Sequence, residues 1–69
     1  MSDSTYKVIE LVGSSSESWD KAAANAIAAA SKSLRNLRIA EVVEQDIQIE
    51  DGKIRAYRTK LKVSFKYEV

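Results

Sequence analysis

The side chains that could perform chemistry in this chain are carboxylates, amines and guanidinium groups. The sequence has 69 residues, with 11 Lys and Arg, 10 Asp and Glu, no His and no Cys. A Ser-His-Asp triad, a cysteine nucleophile, a histidine-ligated haem and a Cys/His zinc site are therefore excluded within one chain type. No side chain has the near-neutral intrinsic pKa that suits general-base catalysis. We predict that the protein is not an enzyme, and oxygen-ligated ions are the metals that the composition leaves open.

The charge balance argues against nucleic-acid and membrane partners. A net charge of +1 is too small for a general nucleic-acid-binding protein. One basic stripe is present, but no aromatic residues interleave with it, as single-stranded nucleic acid would require; the stripe consists of Arg58, Lys60, Lys62 and Lys66. No apolar run approaches the roughly 18 residues of a transmembrane helix, and residues 1–5 do not look like a signal peptide. These features predict a cytoplasmic protein.

The apolar pattern predicts a single domain spanning residues 1–69. Strict alternation indicates strands, and apolar residues recurring every three or four positions indicate a helix. The predicted order is β-α-β-β, over residues 5–12, 16–36, 38–50 and 54–68. The fold class is therefore α+β, a three-stranded antiparallel sheet wrapped around one helix.

Local sequence signals predict where some of these elements begin and end. Gly13 is predicted to end the first strand. Ser14 and Glu17 have the spacing of a capping box, so the helix should begin nearby. On the second strand, one face is predicted to hold the apolar side chains of Leu37, Ile39, Val43, Ile47 and Ile49.

The hairpin between the last two strands turns at Asp51-Gly52, a strong two-residue turn signal. A two-residue turn alone would set the polar face of one strand beside the apolar face of the other, which side-chain parity forbids. A three-residue loop or a bulge removes the conflict. The two registers that remain place either Glu44 or Asp46 beside Arg58, so an acidic strand lies against a basic one.

The small size predicts association between copies of the chain. A domain of about 60 residues buries only about 60% of its unfolded surface. The strands are long for such a chain, and a three-stranded sheet leaves two edges open to pairing with other chains. No disulfide can compensate, since the sequence has no Cys.

The ordered pattern of these segments resembles the dodecin family across nearly the whole chain. The matching segments are YKVIELVGSS, SWDKAA, AEVVEQ and LKVSF, at residues 6–15, 18–23, 40–45 and 61–65. The resemblance implies the β-α-β-β fold and a hollow, roughly spherical assembly of twelve chains. It also implies binding of flavins such as FMN or riboflavin, often in pairs, for storage or quenching, and in some members binding of coenzyme A.

Two departures from the family pattern concern the flavin site. Where flavin-binding dodecins carry a ring-stacking Trp near the start of the second strand, this sequence has Ile39. Where they carry a Gln on the third strand, it has Arg58. The resemblance gives Gln45 as a third position of the site. An aliphatic side chain offers no stacking face, a contribution of about 0.5–1.5 kcal/mol for an aromatic pair, so weakened flavin binding is expected. Arg58 either attracts a phosphate or pairs with a carboxylate on the neighbouring strand.

The sequence is similar to a flavin-poor branch of the family in which at least some members carry calcium. The shared segments are SW, VEQD and YRTKLKVSFK, at residues 18–19, 43–46 and 57–66. Calcium requires several oxygen ligands at once. Glu44 and Asp46 are the candidate ligands here, with Glu50 and Asp51 nearby, and symmetry could bring copies of them together. No EF-hand spacing is present, and a solvated acidic strand balanced by its basic neighbour is the alternative.

Trp19 lies in the first turns of the helix and is expected in the core or at an interface, since the ring-stacking Trp of the family lies on a strand.

The sequence thus predicts a dodecameric protein that binds or sequesters a small ligand or ion, with flavin binding weakened or lost. A conventional flavin store and a ligand-free assembly scaffold are the alternatives.

Overall fold

The computed structural model describes residues 4–67 and has the predicted order of elements. Strand β1 spans Tyr6–Ser15, helix α1 spans Trp19–Ser31, strand β2 spans Leu37–Glu50 and strand β3 spans Lys53–Lys66. The three strands form one antiparallel sheet in the order β1-β3-β2. The α+β fold class is therefore confirmed. The prediction for residues 1–3 and the end of the third strand at residue 68 lie outside the described residues.

The helix is shorter than the predicted span of 16–36. Its N-cap is Ser18, whose side chain accepts a hydrogen bond from the backbone N–H of Lys21 at 3.1 Å. The Ser14 to Glu17 spacing does not cap it, because β1 continues to Ser15. At the other end, Asn36 has φ = 61°, a left-handed conformation that Asn tolerates. The chain has left the helix before this residue in order to enter β2.

Gly13 does not end β1 as predicted. It is buried within the strand, opposite Thr59 of β3. A Cβ atom at this position would collide with the backbone carbonyl of Ala22 and lie 3.0 Å from the Cβ of Ala26. The glycine therefore allows close approach of the helix to the sheet and is not a chain-reversal signal.

The core lies between one face of the helix and the two strands that it covers. Ala22, Ala26 and Ala30 are buried one helical turn apart. Ala26 packs with Leu61 and Val63, which are each 1% exposed on the central strand. The helix packs on β1 and β3 and hardly touches β2. Every residue of β2 after Leu37 is consequently exposed.

The hairpin closes with the two-residue turn and a bulge. Asp51 and Gly52 have φ of 53° and 73°, the positive values that a type I′ turn requires. A register shift between Gln48 and Ile49 restores parity. The register that follows places Asp46 opposite Arg58, and Glu44 opposite Lys60. This confirms one of the two registers allowed by the sequence.

Two further bulges in β2 overturn the predicted grouping of its apolar side chains. Register shifts occur between Leu37 and Ile39 and between Val42 and Glu44. Each shift moves the following residues to the other face of the sheet. Leu37 pairs with Phe65 on the face that carries the helix, whereas Ile39 pairs with Ser64 on the opposite face. Ile39 and Leu37 therefore do not share a face.

Candidate ligand site

The first part of the candidate site is a groove on the sheet face that points away from the helix, which we call the outer groove. It is open to solvent, has a volume of about 600 Å³, and is lined by Val8, Glu10, Ile39, Glu41, Lys62 and Ser64. Antiparallel pairing sets these residues in two rows across the sheet. The first row is Val8, Ser64 and Ile39, and the second is Glu10, Lys62 and Glu41.

The chemistry of the outer groove differs between its two rows. Val8 and Ile39 are 56% and 68% exposed, so they give the first row two aliphatic walls. In the second row, Lys62 lies between two carboxylates that are its cross-strand neighbours. No aromatic side chain lines the groove. It can therefore offer apolar contact and charged hydrogen-bond partners, but no surface on which a planar ring could stack.

The second part of the site is an ion pair farther along the same face. The guanidinium of Arg58 donates from Nε to Oδ1 and from Nη2 to Oδ2 of Asp46, both at 2.7 Å. The hydrogen bonds from Arg58 lower the pKa of Asp46. Desolvation of the carboxylate opposes this effect, and the positive charge of Arg58 adds to it. The same bonds, with the negative charges of Asp46 and Glu44, raise the pKa of Arg58. Of the two roles expected for Arg58, the structure shows the carboxylate-paired one.

Trp19 anchors the strand segment that carries Asp46. Its indole Nε1 donates to the backbone carbonyl of Asp46 at 3.1 Å. Its ring meets Tyr57 edge to face, with ring centroids 5.0 Å apart. Its own carbonyl accepts a hydrogen bond from the buried hydroxyl of Thr59 at 3.0 Å. The side chain thus joins the helix start to β2 and β3. It is only partly buried and lies outside the core cluster, so its expected place at an interface stays a prediction.

The positions expected to bind flavin are not brought together within one chain. Ile39 and Arg58 lie on the same face, but their rows on β3, at Ser64 and Arg58, are six residues apart. At about 3.3 Å per residue, that is a separation of about 20 Å. Gln45 pairs with Thr59 and so belongs to the helix side of the sheet. A small ligand that touches both Ile39 and Arg58 must therefore lie between two chains.

The candidate calcium ligands, Glu44 and Asp46, share the outer face with the ion pair. The Asp46 carboxylate is already occupied by Arg58. Within residues 4–67 of a single chain, no cluster of three or more acidic groups has a geometry that could hold a metal ion. Glu44 and Asp46 as calcium ligands remain a prediction that needs carboxylates from more than one chain.

Sequence reasoning missed most of the residues that line the outer groove. Val8 and Glu10 on β1, and Lys62 and Ser64 on β3, follow the plain alternation of their strands. That alternation puts Val8 with Glu10 on one face of β1 and Lys62 with Ser64 on one face of β3, but only the pairing of the two strands brings the four together. The position of Ile39 beside them could not be predicted, because without the bulge between Leu37 and Ile39 its side chain would lie on the other face of the sheet.

One helix lying on a three-stranded antiparallel sheet of order β1-β3-β2 defines a small α+β protein of β-α-β-β type. The family model named Dodecin matches residues 5–68. The chain belongs to the dodecin family, whose members are binding proteins. None of the described helices is long and apolar enough to cross a bilayer.

Two curated relatives match over most of their length. The calcium dodecin of Mycobacterium tuberculosis is 46% identical over 63 residues, which cover 91% of this chain and 89% of the relative. The dodecin of Thermus thermophilus is 40% identical over 63 residues, with 91% of each chain covered.

Solved structures show the same fold. Dodecin from Streptomyces coelicolor superposes with a TM-score of 0.94 and 42% identity, covering 100% of this chain and 99% of that one. The calcium dodecin of M. tuberculosis gives a TM-score of 0.85 and 48% identity, covering 94% and 93%. That protein is described as a calcium-chelating immunodominant antigen with a novel calcium-binding site.

Proposed function

We propose that this chain is a non-enzymatic, cytoplasmic dodecin that assembles into a hollow shell of twelve copies and binds a small ligand or ion. Its flavin affinity is reduced relative to dodecins that carry a stacking Trp. The observation that carries the proposal is the pair of side chains at the family's flavin positions. Ile39 is an exposed aliphatic wall of the outer groove, and Arg58 is held by Asp46.

The separation of these two side chains supports assembly. About 20 Å divides their rows along β3, so a compact ligand that uses both positions needs two chains. The uncovered β2 strand supports the same conclusion. Val42 and Val43 are 52% and 45% exposed on it, and such a surface is normally covered in a stable small domain.

Calcium is the second candidate ligand. The observation that favours it is the 46% identity to a relative named calcium dodecin. Glu44 and Asp46 are the residues proposed to contribute oxygen ligands, with further ligands from neighbouring copies. A conventional flavin store and a ligand-free scaffold are the remaining outcomes.

Native mass spectrometry of the protein as purified tests the assembly. Twelve chains of 7.7 kDa give a mass of about 92 kDa, and any excess mass identifies the ligand that is carried. A monomer or dimer would overturn the shell and the ligand site that depends on it.

Fluorescence titration of FMN and riboflavin tests the flavin part. The wild-type protein should quench flavin fluorescence weakly. Ile39→Trp should tighten binding about fivefold or more, because a ring pair stacked on two Trp side chains gains roughly 1–3 kcal/mol. Ile39→Leu is the matched control and should not tighten flavin binding. A tight, stoichiometric flavin complex of the wild-type protein would overturn weakened binding, and no gain in Ile39→Trp would show that lost stacking is not the cause.

A further inference from the structure

The turn between β2 and β3 is the one place in the sequence where an aspartate precedes a glycine. The remaining Asp and Asn residues are followed by Ser, Lys, Ala, Leu or Ile, and they are Asp3, Asp20, Asn25, Asn36 and Asp46. The side-chain carboxyl of an aspartate can close a five-membered ring with the backbone nitrogen of the next residue. When that residue is glycine, no Cβ shields the nitrogen. Asp51-Gly52 is therefore the dipeptide of this chain that is best suited to such a ring closure.

The structure leaves this turn exposed and lightly held. We call residues 48–56 the hairpin arm, because β1 pairs with β3 only from Tyr57 onward and no third strand reaches them. Residues 48–55 are all exposed, and a Cβ built on Gly52 would meet nothing within 4 Å. A segment with few buried contacts opens locally at low free energy. The arm can therefore adopt backbone conformations other than that of its closed turn.

The two groups that would react have no competing partners in the fold. Within residues 4–67, every ion pair uses a carboxylate other than that of Asp51. In the same part of the chain, the backbone N–H of Gly52 donates none of the hydrogen bonds. The flanking residues Glu50 and Lys53 pair with each other and close the two-residue turn. The carboxyl of Asp51 and the nitrogen of Gly52 are left to each other and to water.

We propose that Asp51-Gly52 is a site of spontaneous covalent modification, at which the aspartate isomerises to isoaspartate. The nitrogen of Gly52 bonds to Cγ of the neutral Asp51 carboxyl, and the carboxyl hydroxyl leaves with the amide proton as one water. A second water then opens the cyclic imide. Breaking the bond from nitrogen to Cγ restores aspartate, whereas breaking the bond from nitrogen to the original backbone carbonyl carbon leaves the chain running through Cγ. One water leaves and one enters, so the isomerisation needs no oxidant, cofactor or enzyme.

The modification alters the geometry of the arm. Isoaspartate keeps the mass and the negative charge of aspartate but adds one methylene to the path of the backbone. The type I′ turn needs two ordinary residues with positive φ, here 53° and 73°. A lengthened turn cannot keep that geometry, so the pairing of Ile49 with Ile54 beside it should weaken. An aged molecule should therefore differ from a new one in the arm, and not in the part of the sheet that the helix covers.

Peptide mapping of the full-length protein after prolonged incubation at neutral pH tests the modification. Trypsin releases residues 39–53, which contain both Asp46 and Asp51. With age, this peptide should separate into two species of equal mass. An endoproteinase that cuts before aspartate but not before isoaspartate should cut the new species at Asp46 and not at Asp51. Asp46 is an internal control, because it lies in a strand, pairs with Arg58 and precedes Ile47.

Two variants at the same position sharpen the test. Asp51→Glu keeps the charge but requires a larger ring that closes more slowly, so it should give one species throughout. Asp51→Asn closes the same ring with loss of ammonia, and its uncharged side chain should make isoaspartate accumulate faster than in the wild-type protein. An isoaspartyl carboxyl methyltransferase, which labels the new α-carboxylate, should transfer methyl groups to aged wild-type protein and not to aged Asp51→Glu.

The free peptide of residues 39–53 separates the effect of the fold from that of the dipeptide. Because the arm opens at low cost, the folded protein should isomerise at no less than about one-tenth of the rate of the peptide. A lower rate would overturn the proposal. So would a single species in the aged wild-type protein, a new species that maps to Asp46, or equal methyl transfer to aged Asp51→Glu.

Discussion

The carboxylate of Asp46 and the guanidinium of Arg58 meet in a two-bond ion pair on adjacent strands, with both bonds 2.7 Å long. The pair is about half exposed to solvent. Its segment of β2 is held from behind by Trp19, which donates to the backbone carbonyl of Asp46. Arg58, which could have bound an anionic ligand, is therefore paired with Asp46 instead.

The first prediction concerns pH. Because the pKa of folded Asp46 is below its usual 3.8, the ion pair stabilises the fold above that value, and its contribution is lost as pH falls through the folded pKa. Asp46→Asn should therefore be less stable than the wild-type protein at neutral pH, and the difference should disappear in acid. Urea unfolding between pH 7 and about pH 2 measures this.

A double-mutant cycle provides the control for that prediction. In an Arg58→Gln background, Asp46→Asn should have little further effect, because the partner is already gone. An equal effect of Asp46→Asn with and without Arg58 would contradict the assignment to this pair.

The second prediction concerns the buried hydroxyl of Thr59, which is 0% exposed and donates to the carbonyl of Trp19 at 3.0 Å. Thr59→Val keeps the shape but removes the donor, so stability should fall by about 1–2 kcal/mol. The near-ultraviolet circular dichroism of the single Trp should change with it. Thr59→Ser keeps the donor and should leave that spectrum unaltered; a changed spectrum in Thr59→Ser alone would refute the assignment.

The third prediction compares the two glycines. Gly13→Ala forces a Cβ into the backbone of Ala22, so it should lower the free energy of unfolding by about 3 kcal/mol. In Gly52→Ala the added Cβ meets no atom within 4 Å, and the only cost is that a residue with a side chain must adopt φ = 73°. It should lower stability by about 1 kcal/mol. Equal losses in urea unfolding would mean that the helix does not approach β1 this closely.

The fourth prediction concerns calcium. Calcium bound by the folded assembly should raise its melting temperature, and an excess of chelator should reverse the shift. Glu44→Gln should reduce the shift, because it removes one proposed ligand. Glu17→Gln makes the same change in the Lys21 ion pair and should leave the shift unaltered. No shift in the wild-type protein would remove Glu44 and Asp46 as calcium ligands.

Much of the fold could be predicted because local pattern and tertiary structure agree. The alternation of β3 puts Leu61 and Val63 inward and the basic residues outward, as found. The pairing of Asp46 with Arg58 was one of only two registers that parity allowed. Where one face is buried and the other charged, a register error would bury charge, so the sequence constrains the register strongly.

The predictions that failed have three separate causes. The bulge between Leu37 and Ile39 moved Ile39 to the outer face, and it has no clear signature among exposed residues. The helix end was placed five residues too late, at 36 instead of Ser31, because Leu34 continues the apolar period although the chain has begun to turn. Gly13 was predicted to end a strand because the reason for a glycine here, its close contact with the backbone of Ala22 on the helix, is not a local feature of the sequence.

The sequence by itself determined the class of fold, the family resemblance, the acidic and basic strands of the hairpin, and the aliphatic side chain at Ile39, where the resemblance predicts a stacking Trp. These properties depend on residue type and on periods of two and three to four residues, which are local. Only the tertiary structure decided that Ile39 and Arg58 share a face yet lie about 20 Å apart, and that β2 is left uncovered by the helix. Distances across a sheet and the offset of a helix on it arise from bulges and packing between distant segments, so they become visible only once the chain has folded.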